Sequence, residues 1–596
     1  MTFAAVTSSF RLERRRRGPL GETLRVGLFT GLAAVAFAMI GAYVIMDKRW
    51  VVEDTLTLSQ LVVALIAVVG GALAAKAAAT AGAPSGAHWI GAGALAGLVA
   101  GVMLAALVLL VASVNMRSIL VAASPMLVRS LSFGMGLAST KALAFLAGCG
   151  AVGGALGGVL FAMPERARKA AVAGFAAVLI AGLFRDVFAS VLDNIPGLGS
   201  LEGDIFGFMG VNPGAAVVLF IVGAVLSLAR GSVIARTSGE VGERRRRRAG
   251  IGVMIAVIVV LPLVTNAFVA QVAMLVALYI LMGMGLNIEL GLAGLVDLGF
   301  VAFFAVGAYT VALLCSTTPA AIAHVSFWIA LPIAVVLAAV SGLIFGLPVL
   351  RVRGDYLAMA TLALGEIVRV LVLSDALSPT LGGSQGIIEI ARPAIGNLIL
   401  KTPAELYYLA LVLAGVVGLV SWRLQHSRIG RAWLAVREDE DVAQALGIDL
   451  VAVKLLAYTV GAAFAGAAGA VFAVLIGSVF PHSFQLVVSI NVLAILVIGG
   501  LGSLPGVVVG AVALIGLPEL LREFGEFRYL FYGLALVAMM HLKSEGLWPA
   551  HAREDLAGED LARDDRAERT PTPGKDALAV AEAPRGPVSL AEAANA

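Results

Sequence analysis

The sequence predicts an all-α integral membrane protein, a polytopic helical bundle of roughly fourteen to sixteen spans. Three observations carry that prediction. Of the 596 residues, 60% are hydrophobic and only 13% are charged, with a mean hydropathy of +0.98, far from a soluble globular composition. Apolar runs of about 20 residues recur along the chain, each long enough as a helix to cross a hydrocarbon core about 30 Å thick. The 69 glycines suit helices packed closely in lipid, where small residues let backbones approach.

Six runs precede residue 250, near 24–46, 57–79, 88–114, 141–163, 170–192 and 213–230. Positive charge orients them. The Arg-rich start RLERRRR at 11–17 marks residues 1–22 as a basic cytoplasmic tail, and no cleavable signal peptide is evident. Arg166, Arg168 and Lys169 follow the fourth run, and Arg236 with Arg244 to Arg248 follow the sixth. All three clusters then fall inside, as the positive-inside rule requires, with Arg117 and Arg129 as outside exceptions. The Arg244–Arg248 run is a topology anchor, and the net charge of +4 gives no reason to expect a nucleic-acid partner. The polar stretch from 184 to 210 is expected at the outer interface. Residues 23–249 form a membrane region with no assignable role.

The second half, 250–548, opens with runs near 251–270 and 271–287. GLNIELGLAGLVDLGFVAFFAVGAYTVALL (285–314) follows, with glycines at 285, 291, 294, 299 and 307 beside Asn287, Glu289 and Asp297. Such a broken, polar segment at membrane depth is tolerated only against protein or a cavity. Further runs lie near 327–349, 355–374, 405–423, 451–477, 487–499, 504–521 and 528–542, and GGLGSLPG (499–506) is expected as an inside turn. Residues 549–596, rich in charge, proline and alanine, are expected as a disordered cytoplasmic tail.

In RVRGDYLAMATLALGEIVRVLVL (351–373), Ala358, Thr361, Gly365 and Arg369 share one small and polar stripe, with Tyr356 near its start. Glu366 lies one turn before Arg369. Either the pair locks two helices together or it serves a path for solute. The long outer loop 373–405 contains Gly383, Ser384 and Gln385, as partner contacts or simply as a turn.

Charge concentrates in SRIGRAWLAVREDEDVAQALGIDLVAVK, from Ser427 to Lys454. Burying Arg428, Arg431, Arg437, Glu438, Asp439, Glu440 and Asp441 in hydrocarbon would cost roughly 2.5–3.5 kcal/mol each. The stretch therefore lies in water, on the cytoplasmic side. AVREDEDVAQALG reads as one short amphipathic helix. Val442, Ala445 and Leu446 share a stripe, Arg437, Glu440 and Gln444 lie opposite, and Gly447 sits at the C-terminal cap. It is either a docking element for another protein or a solvated loop.

No phosphate loop, HExxH or GxSxG motif occurs. Cys149 and Cys315 give no metal spacing, and the six histidines are scattered. No catalytic residue, metal ligand or cofactor is assigned, and the chain does not read as an enzyme.

Residues 255–548 resemble the permease subunits of bacterial branched-chain amino acid ABC importers, of the LivM type. The resemblance rests on GLNIELGLAGLVDLGFVAFFAVGAYT (285–310), RVRGDYLAMATLALGEIVR (351–369), GGSQGI (382–387), SRIGRAWLAVREDEDVAQALGIDLVAVKLLAY (427–458) and VLAILVIGGLGSLPGVVVGA (492–511), in that order. It implies a permease in the bacterial inner membrane that works with a second, LivH-type permease. Two cytoplasmic ATPases carrying ATP and magnesium, and a periplasmic binding protein, would complete the assembly. Arg437–Gly447 then matches the coupling loop, with Arg431, Arg437, Glu438, Asp439, Ala443 and Gly447 as its residues. The six runs before the permease exceed the usual pattern. A urea or short-amide importer is the nearest alternative, and an ion-coupled secondary transporter a more distant one, for which matched broken helices are lacking.

Overall fold

The computed structural model describes residues 18–236, 258–349 and 354–522, with breaks at 85, 115–123, 134–139, 196 and 319–321. Beyond these it describes 546–549 and a few isolated positions. The basic residues 11–17, the Arg244–Arg248 run and the tail from 550 lie outside the described residues.

Helix α1 (Pro19–Met39) starts on proline, whose missing N–H falls among donors that are unpaired at a helix start in any case. It begins inside the expected basic tail, so the boundary at 22 falls within a helix. It also stops early: Gly41 has φ 80°, and a short helix, Ala42–Met46, follows. Helix α2 (Leu58–Thr80) opens with a capping box between Thr57 and Gln60. Helices α3 (Ala87–Ser113) and α4 (Thr140–Ala162) pack against each other, α3 also against α1 and α2 and α4 also against α2. Their seam is built from glycine. A Cβ on Gly154 would sit 2.2 Å from the Gly93 carbonyl oxygen and 2.9 Å from the Gly97 Cα, so no larger residue fits without separating the helices.

The expected fifth run is not straight. Helix α5 (Glu165–Leu183) turns by 77° at Phe184 into a short helix, Arg185–Asn194. Helix α6 (Pro213–Arg236) packs on α5.

In the second half, α7 (Ala267–Leu286) begins at Asn266, whose side-chain oxygen accepts from the Val269 N–H at 3.0 Å. That cap moves the expected boundary from 270 to 266. A π-helical stretch, Asn287–Leu292, continues α7 into the irregular residues 293–299, and α8 (Phe300–Cys315) resumes. Then come α9 (Phe327–Val349), α10 (Asp355–Leu373), α11 (Pro403–Gln425), α12 (Arg428–Glu438), α13 (Glu440–Ala445) and α14 (Leu450–Ile476). Helices α15 (Leu486–Gly499) and α16 (Leu504–Ala511, running on through a π turn to Leu520) are bent by 117°. The runs at 487–499 and 504–521, expected as separate spans, are thus one broken pair. At 14 residues, α15 alone reaches only about 21 Å.

Alanine- and glycine-rich α14 is the hub of this half, packing against α7, α8 and α9. An aromatic cluster of Phe304, Phe472, Phe484 and Tyr309 closes one side. Exposed Ile329, Val336 and Leu343 on α9 face outward, toward lipid that is as apolar as the core. Among the described residues, nine helices are long and apolar enough to cross a membrane, or eleven if each bent pair counts once. Shorter apolar helices cover Pro213–Leu228 and Phe300–Cys315, and the run at 528–542 lies largely outside the described residues. The halves have separate cores. They meet where Leu521 joins Ala42, Met46, Val51, Leu58 and Leu61.

Candidate functional site

The charged segment between α11 and α14 folds as two helices, not one. Ser427 caps α12, its hydroxyl accepting from the Gly430 N–H at 3.3 Å. At Asp439 the backbone leaves the helical region (φ −157°, ψ 115°), and its carboxylate caps α13 by accepting from the Asp441 and Val442 N–H groups at 2.9 and 3.0 Å. The acid expected in a first turn is therefore the N-cap that starts a second helix. Gly447, at φ 86°, ends α13 as expected, in a conformation that strains any residue with a Cβ.

This pair of helices is fastened down on one face. Trp433 is fully buried, and its indole N–H donates to the Val453 carbonyl at 2.9 Å. Val436, Ala443 and Leu450 form a small core beneath α13. The opposite face is apolar yet open: Val442 is 55% exposed and Leu446 75%. Arg431, Glu438 and Asp441 are exposed around it. Two residues expected on a solvated face are instead engaged with the protein. Arg437 donates from Nη1 to the Gly291 carbonyl, and Glu440 pairs with the buried ammonium of Lys454 at 2.6 Å.

Gly291 lies in the broken span, so the charged segment touches it directly. Non-helical backbone at this depth needs internal partners, and several come from other elements. The Leu298 N–H donates to the Thr361 hydroxyl at 3.0 Å. Asp297 Oδ1 accepts from the Gly299 N–H at 2.7 Å, and the Ser489 hydroxyl accepts from the Val301 N–H at 3.1 Å. Asn287 Oδ1 accepts from the Gly502 N–H at 2.9 Å, and the Gly502 carbonyl accepts from Gln425 Nε2 at 3.2 Å. Asn287, Glu289 and Asp297 are all buried. The break thus gathers α10, α11, α12, α15 and the 500–503 turn onto one joint, the setting in which π-helical turns recur at functional sites.

Helix α10 divides the remaining expected residues. Thr361 is fully buried against the break, and Ala358 and Gly365 share that side. Tyr356 is not inside the protein; it is 70% exposed. Glu366 and Arg369 form an ion pair within this one helix, half and under one-third exposed, so the pair does not lock two helices together. Glu366 also borders a cavity of about 220 Å³ with Leu298, Val301, Leu362, Gly365 and Leu486. In the long loop, Gly383 is buried while Ser384 and Gln385 are exposed. The surrounding GGSQG is a tight turn with Gly382, Gly383 and Gly386 all at positive φ. It is held by paired backbone hydrogen bonds between Ile387 and Val479.

Gln425, Trp433, Lys454, Ser489 and Gly502 were not foreseen. Lys454, a basic residue inside an apolar helix start, was the one visible signal. The others gain meaning only from partners distant in sequence.

A family model described as the branched-chain amino acid transport system permease component matches residues 268–540. The chain is also 38% identical over 331 residues to the high-affinity branched-chain amino acid transport system permease protein LivM of Escherichia coli, covering 52% of this chain and 76% of that protein. The chain belongs to this permease family. The permease is equally similar to LivM of Salmonella typhimurium, at 38% over 331 residues with the same shares of both chains. To LivH of Salmonella typhimurium it is 26% identical over 167 residues, 26% of this chain and 54% of that one. No solved structure matches. The matched region contains the broken span, α10 and the charged segment, and the first 250 residues lie outside the family match. The permease is a multi-pass membrane protein and a transport subunit.

Proposed function

We propose that this permease forms half of the translocation path of an ATP-driven importer for branched-chain amino acids in a bacterial inner membrane, with both termini in the cytoplasm. Its partners are a second, LivH-type permease, two cytoplasmic ATPases that carry ATP and magnesium, and a periplasmic binding protein. The observation that carries this reading is the charged segment itself. It is wet, firmly seated on one face, and apolar on the other, which suits docking into a groove of a second protein. Val442 and Leu446 are the anchors, and Arg431, Glu438 and Asp441 form the polar rim.

Seating on the permease supplies the second half of the mechanism. Closure of an ATPase pair would move α12 and α13 as a rigid body, since Trp433, Ala443 and the Glu440–Lys454 pair tie them to α14. Arg437 would carry the same motion into the break at Gly291, a second and separate span. A push on two spans at once can change the access of a path between permeases without chemistry in this chain.

The test is uptake of labelled leucine by proteoliposomes containing the assembled complex and ATP. Competition by isoleucine and valine but not by urea is the expected result. Competition by urea or a short amide with none by the amino acids would overturn the substrate class.

A further inference from the structure

Polar atoms without partners converge on the break. Glu289 and Asp297 are buried, and their carboxyl groups lie within hydrogen-bonding reach of each other. Both oxygens of Glu289 and Oδ2 of Asp297 find no donor among the described residues. A third group points to the same place independently. The Tyr458 hydroxyl of α14, on a side chain 1% exposed, also has no partner among the described residues and lies within electrostatic range of both carboxyls.

Two ionised carboxylates in contact and out of water repel strongly, and each forfeits its hydration. Neighbouring charges do not relieve them. Arg437 of α12 is committed to the Gly291 carbonyl, and Lys454 of α14 to Glu440. Helix α10 presents the uncharged Thr361 here, its Glu366 and Arg369 being paired with each other. Phe300 of α8 and the Gly500–Ser503 turn bring no charge. Gly461 packs directly on the Glu289 side chain, a Cβ there falling 1.8 Å from Oε1, which closes that side of the carboxyl group.

We propose that Glu289 and Asp297 form a proton-binding site, with one proton held between the two carboxyl groups. Binding adds H⁺ to one carboxylate oxygen, whose new O–H donates to the other carboxylate, so the pair carries a single negative charge. Release returns H⁺ to water and leaves two anions facing each other across the joint between the π-helical turn and α8. Their repulsion opens the break that Arg437 holds at Gly291, so proton occupancy and movement of the charged segment act on the same hinge. The inference rests on the geometry of the break and not on the substrate assigned above.

The test is infrared spectroscopy of the full-length protein in lipid nanodiscs at neutral pH, in ordinary and heavy water. The wild type is expected to show the carbonyl stretch of an un-ionised carboxylic acid, shifted by deuterium. Glu289→Gln and Asp297→Asn, which keep side-chain size, should each shift that band, and the double variant should abolish it, while helical circular dichroism stays unchanged. Absence of the band in the wild type, or its persistence in the double variant, would overturn the proposal. Neither outcome bears on the transport reading, because no transport is measured.

Discussion

Arg437 and Glu440 stand in a run of charges that looks uniformly solvated, yet each has a partner inside the protein. That the segment must be wet was readable from the sequence, because seven charges in 14 residues admit no other placement (Arg428–Asp441). Which charges were spoken for was not readable, since Gly291 lies 146 positions away. Glu440→Gln leaves the Lys454 ammonium without a counter-charge and is expected to destabilise this corner by about 1.5–3 kcal/mol. Thermal unfolding of the purified chain in detergent checks this, and an unchanged midpoint would show that Lys454 finds another partner. Gly447→Val places a β-branched residue at φ 86° and is expected to cost roughly 1–3 kcal/mol. Proteolysis confined to the segment should rise accordingly.

At the scale of elements, helix existence was legible from apolar length while the breaks were not. Phe184, Asp439 and the Gly499–Leu504 turn all interrupt runs that composition alone shows as continuous or as independent spans. Asp439 is instructive, because an acid in a first turn and an acid at an N-cap look alike until the backbone angle is known. The 285–299 break was legible, since glycines and polar residues together cannot sit in an unbroken span facing lipid. Glycine content announced close packing, but the α3–α4 seam needed coordinates. Gly154→Leu would drive a side chain into the Gly93 carbonyl and is expected to cost at least about 1–3 kcal/mol, read as loss of the folded N-terminal bundle in limited proteolysis. For α10, the Glu366–Arg369 pair lies within one helix and is partly exposed. The double variant E366R/R369E should therefore unfold at the same temperature as the wild type. If each single change lowers uptake and the swap fails to restore it, the two residues serve the path separately.

The whole molecule divides into two cores that touch at Leu521 and where the Asn194 amide donates to the Val264 carbonyl. The family match from 268 to 540 begins after the Arg244–Arg248 run, where the sequence places the start of the second half. Deletion of residues 1–249 is accordingly expected to leave a permease that inserts and binds its ATPases, checked by co-purification. The central claim is that the charged segment receives the ATPase stroke and passes it to the broken span through Arg437. Its most direct measurement is ATP hydrolysis by the complete complex in proteoliposomes, with and without substrate-loaded binding protein. Arg437→Ala removes a hydrogen bond from a charged donor, about 1.5–3 kcal/mol, so stimulation should fall on the order of tenfold or more, and Leu446→Glu should prevent the ATPases from docking. Full stimulation in both variants, with the complex assembled, would contradict it.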